Sequence, residues 1–334
     1  MGAVPERRGA SVRRRSAALL STMTLAVLAL AGCATSGDST AEPEPTGTPA
    51  DLCAAAADSG PAVEALTVSD APLSDGVVEV TFEAPLTVDQ FQRQVVVEGD
   101  GAPLEAGQFV DVAITGYDAT TGELVGTAGY NPGEQLPQQI SPESTLGIVL
   151  GCAPIGSRVA AAYVGGTAED GTEVPPAVYT FDVLGVTPTA AWGEQQEPVE
   201  GMPTVELADD GAPTVTIPEG LETPDTTQLA TLKTGDGITV EDGDQVMVQY
   251  TGIRASNGEE FDSSWASGPI DFNTSGVIEG FTKALVGQTV GSQVLAVIPP
   301  AEGYGEGEIN ENDLTGETLI FVVDILATQH LAAG

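Results

Sequence analysis

Apolar and polar residues alternate with a period of two along much of this chain. Val246, Val248 and Tyr250 alternate with Gln245, Met247 and Gln249, the pattern of a half-buried strand. Val294, Ala296 and Ile298 lead into Pro299-Pro300, which ends the strand because proline cannot donate to a ladder. Leu319 to Leu326 is a longer, mostly apolar run and predicts a central strand. Val215-Thr216-Ile217 and Gln228 to Leu232 predict two more. Gly235-Asp236-Gly237 and Asn257-Gly258 supply turns, and Asn-Gly is a strong hairpin signal. Ile278 to Val286 is the one helical candidate, with Gly287 as its stop. Antiparallel strands around a short helix predict an α+β fold.

The pattern occurs twice. Gly107 to Gly116 lies over Gly243 to Gly252, with Gly107, Val110, Val112, Thr115 and Gly116 matched by identical residues. Farther on, Gly156-Ser157-Arg158-Val159 lies over Gly291-Ser292-Gln293-Val294, and Asp182-Val183-Leu184 over Asp324-Ile325-Leu326. The order holds, so the body reads as two similar modules, residues 60–187 and 203–330. Between them, 188–202 is polar with Pro and Gly and reads as a linker. Trp192 in it is read only as able to pack on a domain surface.

Charge narrows the partners. The chain has 10 Lys+Arg against 49 Asp+Glu, a net charge of −39, which repels phosphate and anionic lipid and argues against nucleic acid. One histidine, His330, argues against histidine-based catalysis and histidine-rich metal sites, and no metal or cofactor is expected. Arg7, Arg8, Arg13, Arg14 and Arg15 precede an apolar run from Ala17 to Ala31, so residues 1–32 read as a secretory leader. The run ends in Leu30-Ala31-Gly32-Cys33, which resembles the bacterial lipobox. That resemblance implies a lipid on Cys33 and an extracytoplasmic protein anchored to the cell membrane by the lipid alone. Residues 33–59, rich in Pro, Gly and Thr, then read as a disordered tether. Outside the cytoplasm the leftover pair Cys53 and Cys152 is expected to form a disulfide.

Five stretches of the second module carry a resemblance. They are Val248 to Gly252; Gly258 to Ser264 with Phe261-Asp262-Ser263-Ser264; Val277-Ile278-Glu279-Gly280-Phe281; Pro299 to Gly305 with Gly303-Tyr304-Gly305; and Leu319-Ile320-Phe321. Together and in this order they resemble the FKBP-type peptidyl-prolyl cis-trans isomerases. The resemblance implies an antiparallel sheet wrapped around a short helix in each module, with a shallow apolar pocket between them in the second. It implies a proline pocket walled by Tyr250, Phe261, Phe272, Val277, Ile278, Phe281 and Phe321, with Phe281 as floor. Asp262 and Tyr304 fall on the family's polar positions, and the Ile278 N–H is expected to bind a substrate carbonyl. Ile270 stands where an aromatic is frequent, and Trp265 is expected to add wall area. The implied ligands are proline-containing peptides, unfolded secreted proteins and the family's macrolide inhibitors. In the loop after Tyr304, Ile309 and Leu314 are the residues read as able to touch a substrate. The first module carries Ile114, Val125 and Gly126 where the second has Tyr250, Phe261 and Asp262, so it reads as degenerate and non-catalytic. A non-catalytic chaperone or protein-binding role on the same fold is the alternative for the whole chain.

Overall fold

The computed structural model describes residues 51–71, 77–168, 170–310 and 313–331. The leader, Cys33 and most of the expected tether lie outside them. Two short helices open the described chain, α1 (Leu52–Ala55) and α2 (Pro61–Glu64), followed by the hairpin of β1 (Thr67–Val68) and β2 (Val80–Thr81). The first large sheet contains β3 (Gln92–Val97), β4 (Phe109–Asp118), β5 (Leu124–Ala128), β6 (Gln138–Gln139), β7 (Arg158–Tyr163) and β10 (Ala177–Thr187). Helix α3 (Thr145–Leu150) and a small hairpin of β8 (Gly166–Thr167) and β9 (Glu173–Val174) accompany it. The order across this sheet is β3-β7-β10-β4-β5, with β6 on β4, and every pair is antiparallel.

The second large sheet contains β11 (Glu194–Gln195), β14 (Gln228–Thr234), β15 (Gln245–Arg254), β16 (Glu260–Ser263), β17 (Ile270–Asn273), β18 (Gln293–Ile298) and β19 (Leu319–Gln329). It is accompanied by the hairpin of β12 (Thr204–Leu207) and β13 (Pro213–Thr216) and by helix α4 (Glu279–Leu285). Its order is β11-β14-β18-β19-β15-β16, with β17 on β15. Apart from β11 this is the first sheet's order, element for element, with α4 in the place of α3. Each helix closes an apolar core on one face of its sheet. Leu146, Val149 and Leu150 pack on Val110, Val159 and Val183, while Phe281, Ala284 and Leu285 pack on Val248, Val294 and Val323. The other face of the second sheet is also covered. Val205 and Val215 of the β12–β13 hairpin lie on Leu295, Val297, Ile320 and Val322. That double cover explains why β18 and most of β19 are buried on both faces.

Two expectations need correction. Residues 51–59 are not tether: Leu52 is buried in the first core, and a disulfide joins Cys53 of α1 to Cys152 beside α3. The segment 188–202 is not a free linker. Its β11 pairs with β14, the Ala191 N–H donates to Asp324 (2.7 Å), and Gly193 N–H donates to Gly291 O (2.9 Å). Thr145–Leu150 forms the short helix that the resemblance implies for the first module, where the apolar pattern alone gives no candidate. The Ser144 side chain caps its start by accepting from Gly147 N–H, and Arg93 caps its end by donating to the carbonyls of Val149 and Leu150.

Candidate active site

The site grows from β15, the strand that the alternating pattern marks most clearly. Within it Tyr250 points to the helix side and stands among four phenylalanines. Its ring lies 5.8 Å from Phe272, 5.9 Å from Phe281 and 6.2 Å from Phe321, centroid to centroid. Phe281 comes from the first turn of α4, Phe321 from β19 and Phe272 from β17. Phe321 and Phe281 stand edge to face at 5.1 Å, and Phe261 meets Phe321 the same way at 5.5 Å. Phe281 and Phe321 are buried, while Phe261, Ile270, Phe272, Val277 and Ile278 are half-buried and pack on the same core. The result is a floor of buried rings with a partly open wall.

Gly252 makes this stacking possible. A Cβ at that position would meet Phe261 at 2.6 Å and Phe321 at 2.8 Å. Across the ladder Gly252 pairs with Asp262, whose carboxylate accepts a hydrogen bond from the Tyr250 hydroxyl (2.6 Å). The Asp262-Ser263-Ser264 stretch sets this geometry. Ser264 N–H donates to Tyr250 O, the buried Ser264 Oγ accepts from Tyr250 N–H (2.9 Å) and donates to Gln249 Oε1, and the edge strand is thereby locked against β15. Burial, first, and then the bond to the Asp262 anion push the Tyr250 phenol above its ordinary value, so it stays a neutral donor.

Helix α4 begins at the rim. Ile278 caps it with extended backbone, its carbonyl accepts from Phe281 and Thr282 N–H, and its own N–H has no acceptor among the described residues. Tyr304 is 53% exposed and joins none of the ring contacts. Its loop is tied down by a residue that sequence reasoning missed. Glu302 accepts from Thr227 N–H (2.9 Å) and Oγ (2.6 Å) and pairs with Lys283 of α4 (2.7 Å), itself paired with Glu279 (2.8 Å). Those bonds hold the Glu302 carboxyl down at about 2. The Glu279–Lys283 spacing is readable as a helical ion pair, but nothing in the sequence marks Glu302 as their partner. Leu314 packs on the core, while Ile309 is 56% exposed. Trp265, expected as wall, is not brought into the ring cluster. Its ring tip lies over Gly211 in the β12–β13 turn, and its buried indole N–H has no acceptor among the described residues.

At matching register the first sheet keeps one of these rings, has Val125 where Phe261 stands, and lacks the polar pair. Tyr179 lies across Gly116 as Phe321 lies across Gly252, but Ile114 and Gly126 face each other's neighbourhood where Tyr250 and Asp262 bond.

Comparison with known proteins agrees with this geometry. The family described as FKBP-type peptidyl-prolyl cis-trans isomerase matches residues 237–326, which hold the whole ring cluster. The chain is 34% identical over 116 residues to the "Probable FK506-binding protein" of Corynebacterium glutamicum, spanning 34% of this chain and 97% of that one. It is 37% identical over 119 residues to the FK506-binding protein of Streptomyces anulatus, spanning 34% of this chain and 95% of that one. With FkpA of Escherichia coli, an FKBP-type peptidyl-prolyl cis-trans isomerase, it is 35% identical over 96 residues, spanning 28% of this chain and 35% of that one. The ring cluster on this sheet, and a relative matched over nearly its full length, establish that the chain belongs to the FKBP-type peptidyl-prolyl cis-trans isomerases.

Proposed function

We propose that Tyr250, Phe261, Phe272, Phe281 and Phe321 hold the proline ring of an X-Pro substrate, with Asp262 orienting the rim. The observation that carries this is the Tyr250–Asp262 hydrogen bond at the open edge of the ring cluster. Rotation about a peptide bond costs roughly 18–20 kcal/mol because resonance is lost on the way, and uncatalysed X-Pro bonds take tens to hundreds of seconds. No bond is made or cleaved, so neither nucleophile nor acid–base pair is required. Apolar rings strip water from the imide and disfavour its charge-separated resonance form. Walls that fit the twisted imide better than the planar one lower the barrier selectively. The unpaired Ile278 N–H takes one substrate carbonyl and the exposed Tyr304 hydroxyl another. Val277 and Ile270 border the site, and macrolide inhibitors of the family would occupy the same floor.

The repeated strand order supports reading residues 60–187 and 203–330 as tandem FKBP-like modules, the first without a catalytic pair. The basic leader and Leu30-Ala31-Gly32-Cys33 support an extracytoplasmic lipoprotein acylated on Cys33, whose clients are unfolded secreted proteins. Mass spectrometry of the mature N-terminus tests the lipid: a diacylglyceryl Cys33 is expected, and an intact leader overturns it. Exchange NMR on an X-Pro peptide, with the full chain beside Asp262→Ala, tests the site. Acceleration that falls sharply in the variant is expected. A folded wild type without acceleration overturns the catalytic reading and leaves a binding protein.

A further inference from the structure

The molecule has a cavity away from the ring cluster. It is a cleft of about 640 Å³ between the first sheet and the second, a size typical of ligand sites. From the first sheet come Asp111, Tyr130 and Leu184; from the segment between the sheets comes Trp192; from the second come Asp236 and Leu326. The two leucines share an origin. Each is the extra residue of a β-bulge, Leu184 between Val183 and Gly185 and Leu326 opposite the step from Met247 to Val248, and a bulge re-aims the side chain it carries.

Three observations point to the chemistry of an occupant. The cleft is lined by two carboxylates and no basic side chain. The Asp111 carboxylate accepts one hydrogen bond, from Thr187 Oγ (2.8 Å), and burial raises its pKa, so it gains from any cation that approaches. Asp236 is exposed and makes no side-chain bond among the described residues.

Among the described residues every lysine and arginine already has a protein acceptor. Arg93 and Arg254 donate to backbone carbonyls, Arg158 is paired with Asp182, Lys233 donates to Ala191 O, and Lys283 is held by Glu279 and Glu302. His330 lies at the rim beside Gly133, with its Nδ1 on Asp244.

Finally, Trp192 leaves 42% of its surface exposed and Leu184 leaves 39%, which is unusual for large apolar side chains beside a cavity. Trp192 is not loose. Its indole rests on Gly291, and its neighbours are held by Ala191 N–H to Asp324, Lys233 Nζ to Ala191 O and Gly193 N–H to Gly291 O. A fixed indole and a carboxylate without a cationic partner lining one cleft supply the two groups that recognise a planar organic cation.

We infer that this cleft is a second binding site, which takes an arginine-bearing extended segment of a client polypeptide. The guanidinium sits between Asp111 and Trp192, and the apolar residues flanking it lie on Leu184 and Leu326. The volume exceeds one side chain, so the occupant is a segment and not a free cation. The site shares no residue with the isomerase pocket, and only the word "client" rests on that reading.

The test is fluorescence anisotropy of a short, labelled, proline-free peptide with one central arginine flanked by leucines, titrated with the full chain. Asp111→Asn, which keeps the shape, and Trp192→Ala are each expected to weaken binding about tenfold, as is replacing arginine by neutral citrulline. Phe281→Leu is expected to leave peptide binding unchanged, and Asp111→Asn to leave isomerisation of a short X-Pro peptide unchanged. Binding that survives both cleft variants, a citrulline peptide that binds equally well, or a wild type that does not bind overturns the proposal. So does spermidine binding as tightly as the peptide, since a small cation is then the occupant. If X-Pro acceleration is absent but the arginine peptide binds, the isomerase reading falls and the cleft stands.

Discussion

Gly116 and Gly252 occupy the same register position in two sheets of the same strand order, and each is there because a ring lies across it. Around Gly252 the ring is joined by a phenol and a carboxylate, Tyr250 and Asp262. Around Gly116 those two positions hold Ile114 and Gly126. The buried layer needs only shape, and shape is kept in both sheets. The polar pair is a separate addition that the first sheet lacks. The buried aspartates show the same split. Asp182 is met by the Arg158 guanidinium at 2.6 Å, while Asp324 is met by the Gln293 amide and the Ala191 N–H, each at 2.7 Å. One sheet meets its aspartate with a direct ion pair; the other gives it only neutral donors, and burial pushes its carboxyl up against the weaker pull of Lys233.

The sharpest way to break this comparison is to remove the partner of each aspartate. Arg158→Met leaves Asp182 buried with no opposite charge and only the Tyr130 hydroxyl (2.8 Å) as donor, and is expected to cost about 3–5 kcal/mol. Gln293→Met leaves Asp324 one hydrogen bond and should cost about 1–3 kcal/mol. Chemical denaturation of both variants decides; equal losses would mean that the two aspartates are not held differently. Next in size, Cys152→Ser opens the loop closed by the Cys53–Cys152 bridge and is expected to cost about 2–4 kcal/mol. Hydrogen exchange should place that loss in the first sheet, with β18 and β19 as protected as before.

Tyr250→Phe removes a single hydrogen bond and should cost about 1 kcal/mol of stability, while kcat/KM for an X-Pro peptide falls roughly tenfold. A variant that loses stability but no activity would make the Tyr250–Asp262 pair merely structural. The smallest effect is at Glu302. Its folded carboxyl titrates at about 2 against an ordinary 4.5, so its stabilisation is present above pH 4.5 and is lost as pH falls toward 2. Glu302→Gln should flatten that acid limb by no more than ~1 kcal/mol, since its partner Lys283 is open to solvent. An unchanged limb would show that the loop carrying Tyr304 is held by other contacts.

Much of this was readable from residues. The Val246–Val248–Tyr250 alternation lies in β15, the Leu319 run forms the central β19, and the helix expected over 278–286 spans Glu279–Leu285 with Gly287 past its end at a positive φ of 85°. The ring residues of the site converge because each falls on an element of that kind. What escaped has a physical reason. β11 is two residues, Glu194–Gln195, too short for any period. Helix α3 is six residues with a glycine and β-branched side chains inside, so its local preference is weak, and Ser144 and Gly151 were its signals. Trp265 sits beside a site motif in sequence, but its ring is taken by a turn some fifty residues upstream, a contact no local pattern carries.

The two-residue strand β11 changes what a cut or a pull between the sheets would do. Because it is hydrogen-bonded along the edge of β14 and flanked by the Ala191–Asp324 bond, tension along the chain from the first sheet loads the edge of the second directly, without a slack segment to absorb it. A protease site or an artificial terminus placed after Gln195 would strip that edge and leave Asp324 short of a donor. The natural seam for dissecting the molecule therefore lies before Ala190, at the very start of the 188–202 segment that composition marks.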